Sequence, residues 1–116
     1  MSGAFFESYV FSEIYKSYLN AGKEPPVYYY RDKDQKEIDL LIYQNGTIYP
    51  IEIKKAASPG HVAIKNFKVL NPLEDPEKFG GVKELKTKIG HGNVICMAND
   101  LLPIDEKNWY VPVWLI

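Results

Sequence analysis

The sequence predicts an α/β domain, a mixed β-sheet flanked by helices. Three observations carry this expectation. A proline-free segment with helical apolar spacing opens the chain, and three β-prone segments follow, the last two joined at Asn45-Gly46. After a second helical segment, two short apolar runs close the chain.

Residues Gly3 to about Ala21 hold no Pro and no internal Gly, and they stop at Asn20-Ala21-Gly22. A Gly just past the last periodic residue is a common helix end, because it adopts positive φ without strain. At roughly 100° per residue, Val10, Phe11, Ile14 and Tyr18 form one apolar stripe. Pro25-Pro26 ends the connector, and the aromatic, β-prone run Val27 to Arg31 reads as a strand. Asp32 to Lys36 is a charged turn. Glu37 to Tyr43 and Thr47 to Lys54 are two more strands, and Asn-Gly between them supplies the two positive φ angles of a type I′ reversal.

Beyond Ser58-Pro59-Gly60, a helix is expected from His61 to Val69 or Leu70, with Val62, Ile64, Phe67 and Leu70 as its apolar members. Asn71 to Pro76 reads as a loop, and a short helix is expected after Val82. Strands are expected at Asn93 to Ala98 and Trp109 to Leu115, separated by a polar loop containing Pro103. The order is α-β-β-β-α-(α)-β-β, a sheet with helices packed on it.

The 116 residues fit one domain, residues 1–116, with 46% hydrophobic and 25% charged content typical of a globular chain. No apolar run approaches the ~18 residues of a membrane span, and the first residues lack the basic start of a secretory signal. The single Cys96, within Val94-Ile95-Cys96-Met97, reads as a buried free thiol suited to a reducing cytoplasm. Fourteen basic and fifteen acidic residues leave a net charge of −1, whereas free-standing nucleic-acid binders are usually basic. Metal-binding carboxylates, or a basic surface elsewhere in a longer protein, would reconcile the two.

The hairpin register can be written down. Pairing outward from Asn45-Gly46 sets Asp39 opposite Glu52 and Glu37 opposite Lys54. Period-two alternation then puts Glu37, Asp39, Leu41, Pro50, Glu52 and Lys54 on one face, with Ile38, Leu40, Ile42, Tyr49, Ile51 and Ile53 on the other. Directly opposed side chains have Cβ atoms about 4.5–5.5 Å apart, where like charges repel. Two carboxylates so placed call for a cation, a shared proton or an ammonium. Lys54 supplies some positive charge, and an oxygen-only open site suits Mg²⁺ or Mn²⁺. Glu7 has two readings of equal weight. Either it is a carboxylate within the apolar stripe, directed at this pair, or a residue of the first helical turn that complements the helix dipole and reaches water.

Asp39 followed by Glu52-Ile53-Lys54 resembles the D…(D/E)xK signature of the PD-(D/E)XK, or restriction endonuclease-like, nuclease superfamily, with the Glu7 helix ahead of it. Gly3 to Val10, Tyr30-Arg31, Glu37-Ile38-Asp39, Pro50 to Lys54 and Val111 to Leu115 are similar to a nuclease-like domain at the C-terminus of many prokaryotic AAA+-type ATPases, which has no assigned function. Ile38 stands where the superfamily has Pro. The resemblance spans most of the chain and implies an αβββαβ core excised from a longer protein. No G-x-x-x-x-G-K-[ST] loop occurs here, so ATP binding would belong to an N-terminal ATPase region of that longer chain.

The resemblance also implies a mechanism. Asp39, Glu52 and the Ile53 carbonyl would hold Mg²⁺ or Mn²⁺, bridged through water to Glu7. Lys54 would orient or deprotonate the attacking water in phosphodiester hydrolysis. The partner would be nucleic acid, with DNA favoured, and the ATPase of the same chain; the oligomeric state is not legible. Two other readings stand beside this one, a catalytically inert nuclease-fold module for nucleic-acid binding or regulation, and a structural docking domain. On the bland reading, Glu37–Lys54 and Asp39–Lys54 are surface ion pairs. Arg31 is a candidate for bidentate phosphate binding, with an ion pair to Asp32 or Asp34 equally in view. His91 reads as turn chemistry, His61 as a helix start, and Lys83, Lys86 and Lys88 as a solvated basic face. Tyr28-Tyr29-Tyr30 reads as strand packing, and Trp109 and Trp114 as core or interface.

Overall fold

The computed structural model describes residues 3–74 and 88–116. Helix α1 spans Gly3–Asn20 and is followed by strands β1 (Val27–Arg31), β2 (Glu37–Gln44) and β3 (Thr47–Ile53). A 3-10 helix, His61–Glu74, precedes β4 (Lys88–Ile89), β5 (Gly92–Cys96), β6 (Leu102–Pro103) and β7 (Asn108–Pro112), and a 3-10 turn at Val113–Leu115 ends the chain. The sheet runs β1-β2-β3-β5-β7-β6, with β4 also paired to β3. It is mixed: β1, β2 and β3 form an antiparallel meander, β3, β5 and β7 are parallel, and β6 returns antiparallel.

Each face of the sheet carries its own packing. Phe6, Val10 and Ile14 of α1 meet Leu40, Ile51, Ile53 and Ile95 on one side. On the other, Phe67 and Leu70 of the 3-10 helix meet Ile38 and Ile89, and Ala63 meets Val94 and Cys96. Parallel strands covered on both faces read as unbroken apolar runs, which explains Val94-Ile95-Cys96. Cys96 is a buried free thiol. Among the described residues, no helix is long and apolar enough to cross a membrane.

The reversal after β2 forms as expected. Asn45 and Gly46 have φ of 53° and 76°, and pairing proceeds from Gln44 opposite Thr47 to Leu40 opposite Ile51. The expected division of faces does not hold throughout. Tyr28 pairs with Leu41, but Tyr30 pairs with Ile38, so Tyr29 alone faces both Asp39 and Leu40. That extra residue is a β-bulge in β2, and a bulge resets the alternation. As a result Ile38 packs with Leu41 against the 3-10 helix, while Leu40 and Ile42 pack against α1.

Three other expectations change in detail. The α1 stripe is Phe6, Val10 and Ile14, whereas Phe11 lies on the flank, exposed and stacked on Tyr15. The second helix is 3-10 rather than α and runs on to Glu74. With three residues per turn, Ile64, Phe67 and Leu70 line up toward the sheet, and Val62 is left exposed. Strands β4 and β6, two residues each, are too short for any periodic signal, and the last strand gives way at Val113 to a 3-10 turn. The short helix expected after Val82 falls on residues 75–87, outside those described.

Packing is close where β5 begins. A Cβ built on Gly92 would lie 2.6 Å from the Phe67 ring and would also meet the Asn108 side chain. Gly92→Ala is therefore expected to cost about 1–3 kcal/mol through overpacking. Urea unfolding should show a lower midpoint at unchanged slope.

Candidate functional site

The site forms where the β2–β3 ladder stops. Its last paired residues are Leu40 and Ile51, and beyond them side chains replace the main-chain ladder. The Ile53 N–H donates to Asp39 Oδ2 at 2.8 Å, and the Asp39 N–H donates to Glu52 Oε1 at 3.4 Å. Ile51 and Ile53 belong to the α1 core, so alternation starts the Glu52 side chain from the opposite side of β3. Asp39, carried by the bulge, lines a hollow beside α1. The two residues are nonetheless neighbours at the end of the ladder, joined by these main-chain N–H groups and by their charges.

Glu52 is only 7% exposed and is the one buried charged residue among those described. Burial, then the Asp39 charge, pushes its pKa up to about 8, and Lys54 partly opposes them. Lys54 Nζ lies 3.8 Å from Glu52 Oε2, with about half of the lysine side chain in solvent. One exposed ammonium does not offset the desolvation of a buried carboxylate. At neutral pH Glu52 therefore holds its proton unless further positive charge arrives.

Glu7 stands on the exposed flank of α1, as the fifth residue of the helix and so beyond its first turn. It belongs to this electrostatic group: burial and then Asp39 raise its pKa, and Lys54 lowers it. Glu7 and Asp39 line one hollow of about 690 Å³ between α1 and the β1–β2 edge, with Ser8, Ser12 and Tyr29. Glu7, Asp39, Glu52 and Lys54 thus lie in one electrostatically linked cluster. Arg31 is tied elsewhere, to Glu37 at 3.5 Å and to Gln35 at 2.8 Å, rather than to Asp32 or Asp34. Glu37 takes Arg31 as partner, and Lys54 takes Glu52, so the ion pairs of the bland reading are not those formed.

Other residues settle into structural roles. His91 Nδ1 contacts the Lys107 carbonyl at 3.1 Å, and His61 opens the 3-10 helix. Lys88 lies in β4, while Lys83 and Lys86 are outside the described residues. Three residues at the site were not expected from the sequence: Tyr29, Ser8 and Ser12. For the two serines the signal is present in the helical pattern of α1, since positions 7, 8, 11, 12 and 15 share a flank next to the buried stripe.

A hard divalent cation would have to be held by Asp39 and Glu52, the two carboxylates at the end of the ladder. The carboxylates of Asp39 and Glu52 converge, and oxygen donors alone suit Mg²⁺ or Mn²⁺. Burial and then the Asp39 charge raise the Glu52 pKa, and Lys54 offsets them in part. Among the described residues, no three His, Cys, Asp or Glu side chains come together around one position. Two carboxylates and a main-chain carbonyl would thus form the inner set, with Glu7 further out.

A family model described as "Domain of unknown function (DUF4143)" matches residues 2–116. No curated protein and no solved structure matches the chain.

The protonation of Glu52 sets the pH dependence of the metal-free protein. Its folded pKa of about 8 lies above the ordinary carboxyl value of 4.5, so the native state binds the extra proton between these values. The associated stability is full below pH 4.5 and is lost as the pH rises through 8. Glu52→Gln, which mimics the protonated form, is expected to flatten this slope. At about pH 8.5 in EDTA it should be more stable than wild type by about 1–3 kcal/mol, the scale of one uncompensated buried polar group. Urea unfolding at about pH 5 and about pH 8.5 measures both effects.

Proposed function

The chain belongs to the DUF4143 family, whose description assigns no activity, and we propose that it is a nuclease-like domain of PD-(D/E)XK type. On this reading it hydrolyses phosphodiester bonds in nucleic acid, with DNA favoured, and acts as the effector of an ATPase in a longer chain. The observation that carries the reading is the buried Glu52 carboxyl held against Asp39, with Lys54 two residues on along the same strand end. The Glu7 helix and the order of strands around this pair also support it.

Asp39, Glu52 and the Ile53 carbonyl would hold Mg²⁺ or Mn²⁺. When bound, such an ion polarises a phosphoryl oxygen and lowers the pKa of a coordinated water. The Ile53 N–H fixes one oxygen of Asp39, leaving the other for an additional partner. Glu52, once its proton is displaced, contributes the second carboxylate. Lys54, half in solvent, is free to swing from Glu52 to an incoming water or phosphate, where its ammonium orients the one and neutralises charge on the other. Glu7 would accept a hydrogen bond from a water in the hollow. A cytoplasmic location belongs to the same reading and is supported by the buried free thiol of Cys96.

A second reading is favoured by the net charge of −1 and by the engagement of Lys54 with Glu52. In it the acidic pair is retained for metal-dependent nucleic-acid binding or regulation without turnover.

Thermal unfolding with Mn²⁺ tests the metal site. A saturating ion at about one hundred times its dissociation constant should stabilise wild type by about 2.7 kcal/mol, and Asp39→Asn should lose this gain. If wild type ignores Mn²⁺, both readings fail. Cleavage of plasmid and single-stranded substrates then separates the two. Activity should depend on Mg²⁺ or Mn²⁺ and fall by roughly 100-fold or more in Lys54→Ala. Metal binding without cleavage by the ATPase-bearing protein selects the second reading.

A further inference from the structure

We propose that the hollow between the 3-10 helix and the sheet binds a nucleoside monophosphate, with lysines holding the phosphate and an apolar wall against the base. The proposal goes beyond the nuclease reading and does not depend on it.

Helix winding brings the cations together. In a 3-10 helix, residues three apart stand one above another, about 6 Å along the axis. Lys65, Lys68 and Asn71 therefore form one column, beside the column of Ile64, Phe67 and Leu70 that packs on the sheet. An α-helix of the same sequence would fan these three side chains over about 120°. Lys65 and Lys68 line the hollow from the helix, and Lys107 lines it from the loop before β7. Both walls are fixed. Phe67 and Leu70 anchor the helix at 7% and 0% exposure. In the loop, Asp105 Oδ1 accepts the Lys107 and Asn108 main-chain N–H groups at 2.8 and 2.9 Å. Walls that are already ordered lower the cost of binding.

The chemistry of the walls selects the ligand. Three ammonium groups around one hollow repel one another, and a dianion relieves more of that repulsion than a single carboxylate can. A phosphomonoester carries about −1.5 to −2 charges at neutral pH. Asp105 also lines the hollow, but its carboxylate is engaged by its own loop and by the Asn108 amide. Ile64, Phe67 and Ile89 supply an apolar lining, which suits a flat base. The Asn71 amide, at the end of the lysine column, offers both donors and an acceptor for the edge of that base. The volume of about 310 Å³ lies at the small end of ligand pockets, ~300–1,000 Å³. It is room for one mononucleotide rather than a strand.

Isothermal titration with adenosine 5′-monophosphate (AMP) in EDTA tests this. AMP should bind at least about tenfold tighter than adenosine, which lacks the phosphate, and than inorganic phosphate, which lacks the base. Raising salt from about 50 to about 200 mM should weaken AMP and leave adenosine unchanged. Lys68→Gln and Lys107→Gln should each weaken AMP by about fivefold or more, and Lys68→Arg should keep most of the affinity. Lys16→Gln, an exposed lysine outside the hollow, serves as control. Asp39→Asn should bind AMP as wild type does. Lys65 and Lys68 are exposed, so unfolding midpoints should hold; if Lys107→Gln lowers its midpoint, Lys65→Gln takes its place. AMP binding no tighter than that of adenosine, or indifferent to the lysines, overturns the site. Tighter binding of a thymidine oligonucleotide through the same lysines also overturns it and makes the hollow a phosphate contact for a polymer. Loss of AMP binding in Asp39→Asn would assign the nucleotide to the acidic pair instead.

Discussion

The burial of the Glu52 carboxyl against Asp39 is the constraint around which the rest of the site is arranged, and it runs against stability. A Val or Leu at this position would extend the apolar run Ile51–Ile53 and remove a desolvated acid from the sheet, a kind of replacement that is often neutral or stabilising. The chain instead surrounds the acid with partial compensation. The Asp39 N–H reaches Glu52, the Ile53 N–H reaches Asp39, and Lys54 approaches from solvent. None of these removes the penalty: burial and the Asp39 charge still hold the Glu52 pKa above its ordinary value. A local rule broken without full repair is a common mark of a functional position, and either a retained proton or a bound cation would relieve this one.

The geometry that makes the pair possible has two parts, and only one was legible in the sequence. Asn45-Gly46 announced the reversal, and the reversal fixed the register as far as Leu40 opposite Ile51, one pair short of Asp39 and Glu52. The bulge opposite Tyr29 gave no such signal. Glu37-Ile38-Asp39-Leu40 alternates perfectly as written, and nothing in it shows that two residues will share one partner on β1. The bulge sends Ile38 to the 3-10 helix and Leu40 to α1, and it carries Asp39 into the hollow. A clean division into a core face and a chemical face was therefore too simple: both faces are core, and the acidic cluster lies at the end of a ladder between them.

Helix α1 shows the same limit from another direction. Its existence and ends were evident from the missing Pro and the Asn20-Ala21-Gly22 stop, and Val10, Ile14 and Tyr18 do face the core. Placing Phe11 rather than Phe6 in the stripe turns the apolar face by roughly 35° toward the Glu7 flank. In the structure the stripe is Phe6, Val10 and Ile14, which leaves Glu7, Phe11 and Tyr15 together on the flank that borders the hollow. The long segment after Ser58 was legible as helical and apolar on one side. Its 3-10 winding was not, because spacings of three occur in both helix types over so few turns.

Net charge proves a poor guide to this molecule because the sheet separates its charges. Glu7, Asp39, Glu52 and Glu37 gather around the β1–β3 end and the α1 hollow. On the other face, His61, Lys65, Lys68 and Lys107 line a cavity of about 310 Å³ between the 3-10 helix and the sheet. Asp105 is also there, but its carboxylate is occupied by the Lys107 and Asn108 main-chain N–H groups. A sum near zero thus conceals an acidic site and a basic hollow on opposite sides of one β-layer. What decides whether a polyanion approaches is the local field within about a Debye length of the contact, roughly 8–10 Å in physiological salt, and at the carboxylate pair that field changes sign only when a cation is bound. The neutrality of the chain therefore argues against uncontrolled binding to nucleic acid, and it is compatible with binding that depends on metal.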